Sequence, residues 1–199
     1  MRTLAIFLFL TGALFADSTQ PKRYDFLEGG EKYYALAVVN GTYLSGFRIF
    51  DSKDHFIQLV DWVGVYLSTK VPDYILTAFQ LDDYNFDGYP DIILPGDGSS
   101  EHMEYVEVWL WVPKLKKFVS NQDLDDAEIT RIDPQKKYLY SSGRAYAGCY
   151  FTSTYKYSSS GKLVKLSEDT IDYGKNSEVK TFYADGKVTK TVTSVPPPQ

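Results

Sequence analysis

Short runs of β-branched and aromatic residues alternate along the chain with clusters of Gly, Asp, Asn, Ser and Pro, the rhythm of strands separated by turns. This pattern predicts strands over residues 33–39, 43–50, 56–67, 74–81, 91–94, 105–112, 137–141, 146–157, 163–166, 170–173, 179–183 and 187–193. Three of the intervening turns carry Asn40-Gly41, Ser160-Gly161 and Asp185-Gly186, pairs that accept positive φ at low cost, so tight hairpins are expected there. The one helical hint is residues 121–128, where Asp123, Asp125 and Asp126 flank Leu124 and Ala127, enough for one or two turns. Residues 195–199 read Val-Pro-Pro-Pro-Gln, a polyproline tail that cannot donate to a ladder.

The expected fold is therefore one all-β domain of antiparallel hairpins over residues 17–194, either a small or incomplete β-propeller or a β-sandwich. No repeat of about 40 to 50 residues is visible, which argues against a regular propeller. Before this domain, Arg2 precedes an apolar run from Leu4 to Leu10 and a small-residue exit at Ala13-Leu14-Phe15-Ala16. Residues 1–16 thus read as a secretory signal peptide cleaved near Ala16, too short to span a bilayer, and predict a periplasmic or secreted protein. The single cysteine, Cys149, leaves no lipid-attachment cysteine after the apolar run and no intramolecular disulfide, so neither a membrane anchor nor a disulfide framework is expected.

A net charge of −5, with 21 basic residues scattered among 26 acidic ones, offers no stripe to neutralise a series of phosphates, and nucleic acid is not an expected partner. Aromatic residues make up 16% of the chain and include 17 tyrosines, which suits sheet faces and amphipathic contact surfaces.

The sharpest local motif is the run Asp83-Tyr84-Asn85-Phe86-Asp87-Gly88-Tyr89-Pro90-Asp91, which spaces oxygen side chains at positions 83, 85 and 87 and adds a fourth at 91. Calcium takes six to eight hard oxygen ligands, and alternate side chains of a tightly wound loop converge while a glycine permits the bend. The metal ligands expected are Asp83, Asn85, Asp87, the carbonyl of Tyr89, and Asp91 directly or through water. The competing reading is a metal-free acidic loop held by Asx turns. An EF-hand would place a bidentate glutamate where Leu94 stands, and the flanks read as strands, so a helix-loop-helix is excluded. The motif resembles instead the strand-loop-strand calcium loop of FG-GAP repeats, found in integrin-type propellers.

Candidate catalytic groups are scarce. His55 and His102 are the only histidines, both read as surface residues, and Cys149 lies in an aromatic strand with no partner in sequence. The chain is not expected to be an enzyme; a hydrolase using the acidic loop as a catalytic metal site is disfavoured because protein ligands would fill the coordination sphere. Trp109 and Trp111 share a strand face, a spacing that suits the core more than a sugar platform.

Further along, Ser142-Gly143-Arg144-Ala145-Tyr146 forms S-G-x-x-Y, read as a slim projecting turn whose arginine can fork onto a carboxylate and whose tyrosine supplies rigid contact area. This pattern resembles the loop with which periplasmic lysozyme inhibitors plug the cleft of their target. Residues 83–166 as a whole resemble exported bacterial immunity proteins that pair an FG-GAP-like loop with such a segment and guard against lysozyme-like effectors. The likeness continues through Val108-Trp109-Leu110-Trp111-Val112-Pro113, Lys117-Phe118-Val119, Tyr155-Lys156-Tyr157 and Gly161-Lys162-Leu163. It implies that Ser142, Gly143, Arg144 and Tyr146 contact a lysozyme-like peptidoglycan hydrolase, with calcium as a structural staple. The alternative is a calcium-dependent module that binds glycan or another envelope protein.

Overall fold

The computed structural model describes residues 23–40, 43–66, 79–95 and 106–196. The segment expected to be a signal peptide, Gly41 of one predicted turn, residues 74–78 of one predicted strand, His102 and the last three residues of the chain lie outside them. The described residues form fourteen strands: β1 Arg23–Glu28, β2 Glu31–Asn40, β3 Tyr43–Asp51, β4 Phe56–Tyr66, β5 Gln80–Asp82, β6 Asp91–Pro95, β7 Val106–Val112, β8 Lys117–Ser120, β9 Arg131–Asp133, β10 Tyr138–Tyr146, β11 Cys149–Tyr157, β12 Leu163–Asp172, β13 Ser177–Ala184 and β14 Lys187–Ser194.

They build three antiparallel sheets in which each strand pairs with its neighbour in sequence. Sheet A is β1-β2-β3-β4, sheet B is β5-β6-β7-β8, and sheet C runs β14-β13-β12-β11-β10-β9. The chain is all-β, as its strand pattern predicts, and such meanders have the connectivity of propeller blades. The three predicted hairpins join paired strands: Asn40 faces Tyr43, Ser160-Gly161 turns β11 into β12, and Asp185-Gly186 turns β13 into β14. Both Asp185 and Gly186 have positive φ, 50° and 72°, the geometry that matches strand twist in a two-residue hairpin.

Sheet B is the middle layer. Along β6, Ile92 and Leu94 face a core shared with sheet A, while Ile93 between them faces a core shared with sheet C. Strand alternation alone produces this division, since successive side chains point to opposite faces. The first core is aromatic: Phe47, wholly buried, lies 5.0 Å from Phe79, and Trp111 lies edge-on to Phe118 at 4.9 Å and to Tyr33 at 5.5 Å. Burial of each such side chain contributes about 1.5–3 kcal/mol. The second core gathers Val108, Leu139 and Ile129 around Leu124 of the short helix α1, Gln122–Asp126. The Asn121 side chain caps α1 by accepting the Leu124 N–H at 3.1 Å, which accounts for the predicted turn of helix. No residue of β13 or β14 joins either core among the described residues, and β14 is exposed along its whole length.

Four strands depart from the sequence expectation. β1, β8 and β9 are short and were not predicted, and β12 is one ten-residue strand rather than two. The polar Ser167-Glu168-Asp169 stretch between the two predicted strands is itself paired: Glu168 meets Lys165 at 2.7 Å and Asp169 meets Lys180 at 2.7 Å.

Candidate functional site: the acidic loop and the β10–β11 hairpin

The acidic motif closes the β5–β6 hairpin. Asp82 and Asp91 are partners in register, and residues 83–90 form the connection between them. The flanks are strands, which settles the topology as strand-loop-strand. Gly88 has φ 92°, a conformation that L side chains rarely adopt, so a glycine here is dictated by the turn. Inside the loop, Asp83 accepts the Asp87 N–H at 3.0 Å and the Gly88 N–H at 2.9 Å, Asn85 accepts the Asp87 N–H at 3.0 Å, and Asp87 accepts the Tyr89 N–H at 2.9 Å. These bonds wind the chain so that Asp83, Asn85 and Asp87 belong to one compact turn. Among the described residues no set of three His, Cys, Asp or Glu side chains is already gathered in metal-ligating geometry.

Asp91 differs from the others. It is fully buried, and both oxygens are engaged by backbone: Oδ2 accepts the Tyr84 N–H at 2.8 Å and Oδ1 accepts the Trp111 N–H at 2.9 Å. Its first role is thus to pin the loop to the centre of sheet B, which spacing alone did not reveal. Each carboxylate oxygen has a second lone pair, so this role is compatible with a cation. Burial pushes its carboxyl up to about 7 despite those two donors, and burial likewise raises Asp83.

The loop is clamped from both sides. Tyr84 is buried in the second core, and Phe86 packs edge-on to Tyr157 at 6.4 Å on the sheet C side. Tyr89 packs against the first core and comes close to Gly29 on the sheet A side. Glu28, at the end of β1, is 1% exposed, and neither of its carboxylate oxygens has a well-formed hydrogen bond. Burial pushes its carboxyl up to about 8, only partly opposed by the neighbouring Gly29 N–H, and Asp91, Asp87 and Asp83 raise it further. The Tyr157 hydroxyl is a second buried group without a partner, also within the field of Asp91, Asp83 and Asp87.

The donors fit a hard cation. Asp83, Asn85, Asp87 and the Tyr89 carbonyl all offer oxygen donors, and the buried Glu28 carboxyl, whose negative form burial disfavours, has no cationic side chain paired with it among the described residues.

The second predicted site has a different local form. Residues 142–146 are the end of strand β10, not a projecting turn; the turn is Ala147-Gly148, where Gly148 takes φ 80°. Ser142 pairs with Thr152, Gly143 with Phe151 and Arg144 with Tyr150, but Tyr146 pairs with Cys149, so Ala145 is a bulge. A bulged residue reverses the side-chain alternation. Ser142 and Arg144 consequently share a face with Tyr150 and Thr152, and an open groove of about 520 Å³ is lined by residues 142–144 and 150–152. Tyr146 falls beside Cys149 and Asp172, on the other face.

Tyr146 is held firmly there. Its hydroxyl donates to Asp172 and accepts from Lys175 Nζ at 3.0 Å, and Lys175 also meets Asp172 at 2.9 Å. The Tyr146 and Lys175 hydrogen bonds hold the Asp172 carboxyl down at about 2. The β12–β13 turn braces the hairpin, with the Tyr173 N–H donating to the Gly148 carbonyl at 2.9 Å. Tyr146 nevertheless remains 50% exposed and Tyr150 45% exposed. The Arg144 Nε donates to the Tyr146 carbonyl at 3.3 Å, and no carboxylate pairs with Arg144 among the described residues. Ser142 is only half-buried and meets Thr130 Oγ1 at 3.2 Å.

Sequence reasoning missed Glu28, Tyr150, Asp172 and Lys175. Glu28 stands two residues after Phe26 on the inward face of β1, and an acid in that alternating position just before Gly29-Gly30 was the available signal. The other three become neighbours of the hairpin only through strand pairing. Cys149 is a buried free thiol, and His55 is an exposed residue paired with Asp51 at 2.9 Å, as expected of both.

Comparison with family models and with curated proteins finds no match. Among solved structures, the chain is similar in fold to a Xanthomonas type IV secretion system related protein, with a TM-score of 0.59 over 90% of this chain and 97% of that one, at 16% identity.

Proposed function

We propose that this chain is an exported, calcium-binding inhibitor of a lysozyme-like peptidoglycan hydrolase, of the kind that confers immunity, and that it acts by occupying the target's cleft rather than by chemistry. The observation that carries this reading is the end of the β10–β11 hairpin. There the Arg144 guanidinium, which pairs with no carboxylate among the described residues, shares one face with the half-exposed Tyr150, while the half-exposed Tyr146 and the ammonium of Lys175 occupy the other. Cationic and aromatic groups in one rigid projection suit a cleft that binds sugar and carries catalytic carboxylates, because arginine forks onto a carboxylate and tyrosine adds contact area at little entropic cost. Strand pairing and the Asp172 bonds fix the hairpin in advance, which lowers the cost of binding.

The fold likeness to a secretion-related protein supports the same direction. Calcium at residues 83–91, bound through Asp83, Asn85, Asp87, the Tyr89 carbonyl and Asp91, would act as a staple between the sheets rather than as a catalyst. Among the described residues no helix is long and apolar enough to cross a membrane. The test is titration of a panel of lysozyme-like hydrolases with the purified chain in calcium. Stoichiometric loss of lysis with formation of a one-to-one complex is expected for at least one member; failure across the panel would favour the calcium-dependent binding module.

A further inference from the structure

We propose that Glu28, contributed by sheet A, is a direct ligand of the cation held by the acidic loop of sheet B, so that the metal joins the two sheets. The inference rests on the reading that residues 83–91 bind calcium, and adds a ligand more than fifty residues away that the loop motif does not contain.

The geometry points to this in three steps. In β1, Phe26 and Glu28 lie on the same face, two residues apart, and Phe26 packs on Phe79 and Phe118 of the neighbouring layer. Glu28 therefore points into the same space at the hairpin end of β1, where Tyr89 of the acidic loop approaches Gly29. Second, its carboxylate is buried with both oxygens lacking a well-formed hydrogen bond. A buried carboxylate without partners is expensive: alone it takes up a proton, and where it stays charged it is paired or coordinates a metal.

Third, the charges around it are of the wrong sign for pairing. Asp91, Asp87 and Asp83 are the acids that act on Glu28, and no lysine, arginine or histidine pairs with it among the described residues. These acids disfavour the charged form of Glu28, and a divalent cation drawing the four carboxyl groups together would convert that repulsion into attraction. The ligand set becomes Glu28, Asp83, Asn85, Asp87, the Tyr89 carbonyl and Asp91, which reaches the six to eight oxygens calcium takes. Within this set Glu28 would supply the carboxylate that an EF-hand takes from a glutamate at the end of its loop, here from another sheet.

Glu28→Gln keeps the shape of the side chain and removes only the charge, so it separates ligation from packing. Calcium titration by calorimetry on the full chain, with wild type, Glu28→Gln and Asp87→Asn, reads the affinity; melting in EGTA reads the fold. Glu28→Gln is expected to weaken calcium binding at least tenfold while melting in EGTA at or above the wild-type temperature. Calcium affinity within twofold of wild type, with Asp87→Asn impaired, would overturn the role of Glu28 and leave the loop reading intact. Absence of calcium binding by wild type would overturn both. As a readout that does not depend on a variant, anomalous scattering from a calcium-loaded crystal should put the ion about 2.3–2.6 Å from a Glu28 oxygen; an ion beyond ligand distance from Glu28 would refute the proposal.

Discussion

The Trp111 N–H donates to Asp91 Oδ1 at 2.9 Å across twenty residues of sequence, inside the core. Because Asp91 Oδ2 also takes the Tyr84 N–H, one carboxylate ties the beginning and end of the acidic loop to the central sheet. Replacing Asp91 by Ala leaves two buried backbone donors unsatisfied, each costing about 1–3 kcal/mol. We expect Asp91→Ala to lose about 2–5 kcal/mol in urea unfolding measured in EGTA. A loss below 0.5 kcal/mol would show that these bonds do not hold the loop.

Calcium should stabilise the folded chain whether or not a hydrolase is present. At a free concentration one hundred times the dissociation constant, binding to the folded state alone adds about 2.7 kcal/mol. For a domain of this size that corresponds to a rise in Tm of roughly 5–10 °C. Scanning calorimetry in calcium and in EGTA measures it, and Asp87→Asn should abolish the difference.

Trp111 is a core residue, 4% exposed and packed against Phe118 and Tyr33. Trp111→Ala is expected to cost about 3–5 kcal/mol of stability by opening a cavity. A ring in this place cannot stack on a sugar. A variant that kept its stability and lost glycan binding would reverse this assignment.

The Asp172 carboxyl, held down by the Tyr146 hydroxyl and then by Lys175, should titrate at about 2, against 3.8 for an ordinary aspartate. A depressed pKa means that the unfolded chain takes up the proton first as the pH falls. The contribution of this cluster is therefore complete above about pH 4 and lost as the pH falls towards 2. Carboxyl chemical shifts followed by NMR give the titration directly, and in Tyr146→Phe the Asp172 midpoint should move upward.

Much of the fold was legible because strands announce themselves by period. The Asp-Gly, Ser-Gly and Asn-Gly turns fix where hairpins close, and Asn121 with Leu124 marks the helix through its cap. β1 escaped notice because its inward face ends in Glu28, a charged residue where an apolar one is expected, and that exception is the most informative residue of the strand. The acidic motif located its loop through local spacing, but the engagement of Asp91 by Trp111 depends on β6 lying beside β7, which no local pattern encodes. For residues 142–146 the reverse holds: small residues suggested a turn, whereas pairing with β11 keeps them extended as far as the Ala145 bulge. That bulge decides which face Tyr146 occupies, and it follows from the register of two strands rather than from the residues themselves.

The most direct test of the central claim is the inhibition constant for a lysozyme-like hydrolase that the chain inhibits, compared between wild type and an Arg144→Ala/Tyr146→Ala double variant in saturating calcium. Tyr146 as an interface anchor is worth about 2 kcal/mol or more, so inhibition should weaken at least about 30-fold while the variant stays folded in calcium, with a modest loss of Tm from the freed Asp172–Lys175 pair. Undiminished inhibition by the folded double variant would contradict the account and move the contact surface away from the β10–β11 hairpin.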